Sequence, residues 1–146
     1  MSVTFRHGDI FDSQCQVLVN PVNCVGVMGA GLALEFRHHF GQAYFRDYYD
    51  ACMRGALTPG HPYLHRLPGT HWVLDFPTKG HHRNPSCVQW IEDGLAAFVR
   101  NYERAGITSI AFPRLGCGLG GLVWPHVRFI MVRYLDALPI PVEIYE

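Results

Sequence analysis

Residues 17–31 read VLVNPVNCVGVMGAG, in which an apolar run passes directly into a loop with three glycines. The run from Cys15 to Val19 predicts a strand that is buried on both faces of a sheet. The loop spans residues 20–31, and helical patterning begins at Leu32. A buried strand, a glycine-rich loop and a helix in this order indicate an α/β fold, in which ligands bind beyond the carboxyl ends of the strands.

The rest of the chain alternates between strand and helix patterns. Ser86 followed by Gln89 has the pattern of a capping box, which predicts that a helix begins there, and Gly106 is placed to end it. Pro125 is typical of the first turn of a last helix. Strands are predicted at residues 3–5, 15–19, 62–66, 71–76, 107–112 and 142–145, and a further helical segment from residue 32 to about 53 with a break near 41. This alternation predicts an α/β sandwich with a mostly parallel sheet.

The composition favours a single globular domain. The chain has 146 residues, 49% of them apolar, and a formal net charge of zero. A neutral chain is not an electrostatic nucleic-acid binder as a whole, so any nucleic acid would be held by local contacts. We find no membrane-spanning stretch and no signal peptide, and the five scattered cysteines are typical of reduced thiols. We therefore expect a cytoplasmic monomer without a metal, a cofactor or a membrane partner.

A second glycine-rich loop follows the strand predicted at residues 107–112. It spans residues 113–121, with glycines at 116, 118, 120 and 121. Glycines let a backbone approach phosphate closely, and amides at a helix start point at an anion. Two such loops predict a diphosphate held from both sides, and the alternative is two tight turns without a ligand. The first loop runs G-x-x-G-x-G rather than the dinucleotide-binding pattern G-x-G-x-x-G, and a Walker A loop is excluded because Thr78 precedes the sole lysine.

That sole lysine is Lys79, since the other eleven of the twelve Lys and Arg residues are arginines. An arginine stays protonated, whereas a lysine can act as an amine nucleophile when its surroundings favour the neutral form. The neighbouring His81, His82 and Arg83 would favour the neutral amine by like-charge repulsion. The sequence therefore predicts that Lys79 has a functional role in this loop. The alternative is that it is a surface lysine without a function.

These motifs, in this order, resemble those of the macrodomain family of ADP-ribose-binding proteins. The resemblance is carried by Gly8-Asp9-Ile10, Val19-Asn20-Pro21-Val22-Asn23, residues 25–33 and residues 113–124, and it extends over nearly the whole chain. It implies one macrodomain at residues 1–146, a three-layer α/β/α sandwich with a mixed, mostly parallel central sheet.

The resemblance also implies the residues that bind ADP-ribose. Asp9 would bind the adenine amino group and Asn23 the distal ribose, with a turn asparagine as the alternative reading for Asn23 and equally for Asn20. We interpret Cys117, like Cys24, as a small packing residue. The implied ligand-binding residues are Asp9, Ile10, Asn20, Asn23, Val27, Met28, Gly29, Gly31, Leu32, Pro113, Leu115, Gly116, Cys117, Gly118, Leu119 and Gly120.

One subgroup is particularly similar. Residues 23–29 together with Phe76-Pro77-Thr78-Lys79 resemble the DarG-type antitoxin macrodomains, which remove ADP-ribose from DNA. A related human enzyme, the terminal ADP-ribose glycohydrolase, pairs its lysine with an Asp in the second loop, and Gly120 stands at the matching position here. The resemblance implies a hydrolase that acts on ADP-ribosylated thymidine in single-stranded DNA and opposes a DNA ADP-ribosyltransferase toxin.

In that reading Lys79 is the catalytic residue, and ADP-ribose is a ligand or product rather than a cofactor. His81, His82 and Arg83 are candidate contacts for the base or the DNA, or else solvated loop residues. Lys79 would attack the anomeric carbon, or alternatively stay protonated and stabilise the leaving group. Two other functions stay open: hydrolysis of ADP-ribose from acidic protein side chains or from O-acetyl-ADP-ribose, and non-catalytic ADP-ribose recognition.

Overall fold

The computed structural model describes residues 2–146, which form one sheet of six strands flanked by four helices. The strands are β1 (Val3–Arg6), β2 (Val17–Val22), β3 (Tyr63–His65), β4 (Trp72–Pro77), β5 (Ile110–Phe112) and β6 (Val142–Tyr145). The helices are α1 (Gly31–Phe40), α2 (Gln42–Met53), α3 (Val88–Ala105) and α4 (Trp124–Leu135), with a short 3₁₀ turn at Ile10–Asp12.

The strand order is β1-β6-β5-β2-β4-β3, and every pair is parallel except β3 with β4. The predicted mixed, mostly parallel sheet is confirmed. β2 lies in the middle of the sheet, with β5 on one side of it and β4 on the other. The loops that follow these three neighbouring strands therefore meet at one edge of the sheet.

The helices cover both faces of the sheet, and each face has its own apolar cluster. Val17 and Val19 of β2 pack with α3 and α4, whereas Leu18 between them packs with α1 and α2. Successive side chains of a strand point to opposite faces, so this central strand is buried on both sides. The three-layer α/β/α arrangement is confirmed.

Strand β2 lies further along the chain than the sequence predicts, since it begins at Val17 rather than Cys15 and ends at Val22 rather than Val19. It continues through Pro21 to Val22, where the predicted loop had already begun, because β4 pairs with it as far as Pro77. β5 pairs only with the first two residues of β2. Pro21 therefore has no strand on one side, and a missing backbone N–H is tolerated there.

The start of α3 also differs from the prediction. The helix begins at Val88, its N-cap residue is Cys87, and no side chain caps it. The predicted capping box is wrong because both of its side chains bind elsewhere: Ser86 donates to Thr78 and Gln89 donates to Asp93.

Candidate functional site

A cavity of about 870 Å³ lies at the carboxyl ends of β2, β4 and β5. The two glycine-rich loops form two of its walls, and Gly8-Asp9-Ile10 and the C-terminal residues 145–146 lie at the cavity too. Lys79, which follows β4, is half-buried and lines the same cavity. The loops that the sequence predicted as binding elements are therefore brought together around one space.

The first loop is organised by the side chain of Asn23. Its Oδ1 accepts hydrogen bonds from the backbone N–H of Val25 at 3.1 Å and of Val27 at 3.3 Å, and its Nδ2 donates to Val27 O at 2.7 Å. The Tyr48 hydroxyl on α2 donates to the same Oδ1 at 2.8 Å. Asn23 therefore shapes the loop, while one Nδ2 hydrogen is left for a ligand.

Gly26 in this loop is required by its surroundings. Its φ is +82°, and a Cβ there would lie 2.7 Å from the ring of Tyr49. The loop thus lies directly against α2, and any side chain at position 26 would push the two apart.

The second loop reaches across to the first. Gly31 opens α1, and a Cβ added to it would lie 3.0 Å from Leu119 of the second loop. Leu119 is nevertheless 70% exposed, since it lies at the cavity mouth. The two loops therefore almost touch over the cavity, as a diphosphate held from both sides requires.

The segment that carries Lys79 is tied to the elements on either side of it. Thr78 N–H donates to Val22 O at 3.0 Å, and Cys24 N–H donates to Gly80 O at 2.9 Å. On the other side, Cys87 N–H donates to Thr78 O at 2.9 Å. These backbone bonds fix the lysine at the junction of the first loop and the start of α3.

The two histidines that follow Lys79 stack on each other. The ring centroids of His81 and His82 are 4.3 Å apart at an interplanar angle of 27°. Loss of solvation, with the nearby His81, Arg83 and Lys79 charges, lowers the pKa of His82. His82 lines the cavity, whereas His81 and Arg83 are exposed beside it.

A buried polar network lies beneath the first loop and α2. Asp75 on β4 is fully buried; its Oδ2 lies 2.6 Å from His65 Nε2, and its Oδ1 accepts from the Tyr44 hydroxyl at 2.5 Å. His65 Nδ1 lies 2.6 Å from Asp47 Oδ2, and Asn20 Nδ2 donates to Tyr44 at 2.8 Å. Burial alone would lower the pKa of His65, but the hydrogen bonds and charges of the two carboxylates outweigh it and raise the pKa. The network joins β2, β3 and β4 to α2.

Most of the predicted site residues line the cavity. They are Asp9, Ile10, Asn23, Val27, Gly29, Gly31, Leu32, Lys79, His82, Pro113, Gly116, Gly118, Leu119 and Gly120. Asp9 also accepts a hydrogen bond from Phe11 N–H at 2.9 Å, which caps the 3₁₀ turn.

Four predicted binding residues do not line the cavity. Asn20 is fully buried in the network below it, so the turn or packing role is the one its placement favours. Met28 and Leu115 are buried in the two apolar clusters, and the Cys117 thiol contacts Leu115 O at 3.4 Å. Their side chains therefore support the loops from behind.

The cysteines of the loops are protonated at neutral pH. Burial raises the pKa of Cys24 to about 11. Burial also raises the pKa of Cys117, against the opposing charge of Arg114. A thiol that stays protonated is a weak nucleophile, in keeping with a packing role.

Several other residues that line the cavity were not among the binding residues that the sequence implied. They are Gly8, Pro21, Val22, Ala30, Ala33, Glu35, Thr78, Ser86, Arg114, Tyr145 and Glu146. Thr78 directly precedes Lys79, and this adjacency could have indicated that Thr78 lines the site. Ser86 had no such signal, since its pattern with Gln89 pointed to a helix cap.

Within residues 2–146, no group of three or more His, Cys, Asp or Glu side chains is placed to hold a metal ion. No helix in the same range is long and apolar enough to span a bilayer.

The chain is similar to a known family and to several known proteins. The family model described as "Macro domain" matches residues 19–131. A DNA ADP-ribosyl transferase-DNA ADP-ribosyl glycohydrolase fusion protein of Thermosipho africanus is 44% identical over 99% of this chain, which spans 42% of that protein. The DNA ADP-ribosyl glycohydrolase of Mycobacterium tuberculosis is 39% identical over 94% of the chain, which spans 40% of that protein.

Two solved structures are also similar to this chain. The macrodomain of Thermus aquaticus DarG superposes with a TM-score of 0.92 at 38% identity, covering 99% of this chain and 97% of that one. Thermosipho africanus DarTG in complex with ADP-ribose superposes with a TM-score of 0.95 at 43% identity, covering 98% of this chain and 41% of that one. The chain spans less than half the length of the DNA ADP-ribosyl glycohydrolases that it matches.

Proposed function

The chain belongs to the macrodomain family, and from this premise we propose that it is a DNA ADP-ribosyl glycohydrolase. Its substrate is single-stranded DNA with ADP-ribose on a thymidine, and its activity reverses that of a DNA ADP-ribosyltransferase toxin. The observation that carries this proposal is the placement of the sole lysine, Lys79, in the cavity between the two glycine-rich loops.

The cavity supports ADP-ribose as the bound part of the substrate. The two loops lie on opposite sides of it and present backbone amides to the diphosphate. Asp9 and Ile10 line the cavity beside the first strand, where the adenine binds. Asn23 precedes Cys24, whose N–H donates to the carbonyl oxygen of Gly80 next to Lys79, and the distal ribose binds there.

Lys79 acts on the sugar carbon that is bonded to the base. The neutral amine attacks this carbon, and the carbon–base bond breaks with its electron pair passing to the base. The ribose ring then opens to leave an imine between the sugar and the lysine nitrogen. Water adds to the imine carbon, which frees ADP-ribose and restores the amine.

The stacked His81–His82 pair and Arg83 supply the contacts to the leaving base and the DNA strand. His82 lies at the cavity wall, and His81 and Arg83 extend the same segment over the surface. A flat imidazole stack offers a nucleobase a stacking surface, and Arg83 offers a cation to the phosphate backbone.

The proposal is tested by offering two substrates side by side. One is an oligonucleotide with ADP-ribose on a thymidine, and the other is a protein with ADP-ribose on a glutamate. Mass spectrometry of the products identifies which bond is cleaved. Release of ADP-ribose from the oligonucleotide supports the proposal, whereas release only from the protein favours the protein hydrolase. Binding of ADP-ribose without turnover of either substrate favours a reader.

A further inference from the structure

Two buried hydroxyl groups lie in the cavity next to Lys79. Thr78 is 3% exposed and Ser86 is 7% exposed, and both line the cavity wall. The Ser86 hydroxyl donates to Thr78 Oγ1 at 3.3 Å. Thr78 is held by its backbone bonds to β2 and to the start of α3, and Ser86 N–H donates to Gly120 O at 3.0 Å. Both hydroxyls therefore have fixed positions.

The pair has hydrogen-bonding capacity left over. Two hydroxyls carry two hydrogens, and the bond from Ser86 to Thr78 uses one of them. Within residues 2–146, these two side chains make no other hydrogen bond. The hydrogen of Thr78 and the remaining lone pairs are free for water or a ligand. Since a buried polar group needs a partner, the pair suits a polar ligand group.

Gly120 has no side chain, and this leaves room for the Ser86 hydroxyl. A Cβ at Gly120 would lie 2.5 Å from Gly116 O and 2.8 Å from Ser86 Cβ, and it would overlap the Ser86 hydroxyl. The φ of Gly120 is not positive, so its need for glycine comes from lack of space. A carboxylate side chain at position 120 would therefore displace the Ser86 hydroxyl, and neutral hydroxyls occupy this part of the cavity wall.

The chemistry of the pair fits a sugar diol. Each hydroxyl both donates and accepts, as do the hydroxyls of a ribose, and neither carries a charge. Within residues 2–146 neither hydroxyl is hydrogen-bonded to a histidine or a carboxylate that could activate it, so the pair holds a group in place. Because Thr78 and Lys79 are consecutive and both line the cavity, a sugar held by the pair lies against the lysine.

We propose that Thr78 and Ser86 are positioning residues that bind the hydroxyls of the distal ribose and present its reactive carbon to Lys79. This inference rests on the proposed ADP-ribose site. Gly120 is part of the same arrangement, because it leaves the space that the Ser86 hydroxyl occupies.

The test compares ADP-ribose with ADP, which lacks the distal ribose. Calorimetry measures the binding of ADP-ribose and of ADP to the wild type and to Thr78→Val, Ser86→Ala and Thr78→Ser. We expect Thr78→Val and Ser86→Ala to bind ADP-ribose about tenfold more weakly, the size of one lost hydrogen bond, and ADP within about twofold of the wild type. Thr78→Ser keeps a hydroxyl and binds both ligands within about twofold of the wild type.

Two results would overturn the inference. Undiminished ADP-ribose affinity in both Thr78→Val and Ser86→Ala would show that the hydroxyls do not bind the sugar. An equal loss for ADP and ADP-ribose would show that the residues only support the loops. Neither measurement uses DNA, so a failure of the proposed glycohydrolase activity is seen separately, as a wild-type protein that binds ADP-ribose but releases none from the modified oligonucleotide.

Discussion

The Tyr48 hydroxyl lies 2.8 Å from Asn23 Oδ1 and 3.0 Å from Asn23 O, and it donates to this residue from the buried face of α2. Asn23 in turn fixes the backbone of Val25 and Val27. A helix on one side of the sheet thus sets the shape of the loop that we propose to bind ADP-ribose.

Tyr48→Phe should weaken ADP-ribose binding about fivefold to tenfold and lower the free energy of unfolding by about 1–2 kcal/mol, since a buried hydrogen bond is lost without a change of shape. Calorimetry and denaturant unfolding measure the two effects. Tyr49→Phe is the matched control, because Tyr49 is 44% exposed, and it should leave both quantities unchanged. Equal effects of the two substitutions would contradict the role of Tyr48.

Lys79→Ala and Lys79→Arg should both lose turnover of the modified oligonucleotide by at least about a thousandfold while keeping ADP-ribose affinity within about threefold. The arginine keeps the charge but is not a nucleophile, so its inactivity separates nucleophilic attack from charge stabilisation. Single-turnover assays measure the rate, and borohydride reduction during turnover should trap a sugar adduct on Lys79. Full activity of Lys79→Arg, or the absence of a trapped adduct, would argue for the leaving-group role.

Gly120→Ala should lower the free energy of unfolding by about 1–3 kcal/mol, because the added methyl has no space beside Gly116 O and Ser86. Gly118→Ala is the matched control in the same loop, since a Cβ there meets nothing within 4 Å. We expect it to change the free energy of unfolding by less than about 0.5 kcal/mol. Thermal or denaturant unfolding compares the two, and equal stability would refute the packing described for position 120.

The buried pair of His65 and Asp75 should make stability depend on pH. The pKa of His65 is raised in the folded protein above its ordinary value of 6.5 by the carboxylates of Asp75 and Asp47. The folded state therefore holds this proton more tightly than the unfolded state does. The stabilisation is complete below pH 6.5 and is lost as the pH rises through the folded pKa.

Denaturant unfolding measures this dependence in the wild type and in His65→Gln. The measurements run from about pH 5.5 to about pH 9, which covers the ordinary histidine pKa and the pH range above it. The variant should be less stable at pH 5.5, and its deficit should shrink as the pH rises. His38→Gln, at an exposed site on α1, should follow the wild-type curve. A deficit that grows with pH would reverse the assigned sign.

The sequence predicted the architecture well because each element has a local signal. The apolar run at β2, the glycines after it and the stop at Gly106 depend on neighbouring residues, and the structure confirms the layers and the mostly parallel sheet. The errors are at places where a distant segment competes with the local pattern. Ser86 has a cap pattern, yet its hydroxyl binds Thr78 and its N–H binds Gly120. For Asn20 the sequence left ligand contact and a turn role equally open, and in the fold its amide binds Tyr44 on α2.

Local sequence signals were enough to predict the order of strands and helices along the chain, the two glycine-rich loops and the unusual position of Lys79, because backbone preferences and residue chemistry are properties of short segments. The grouping of Ser86 and Gly120 with Thr78 is visible only in the assembled fold. Thr78, Ser86 and Gly120 come from separate parts of the chain and meet because β4, the start of α3 and the second loop pack together. Side-chain contacts of this kind depend on distances across the fold, and those distances exist only once the layers have assembled.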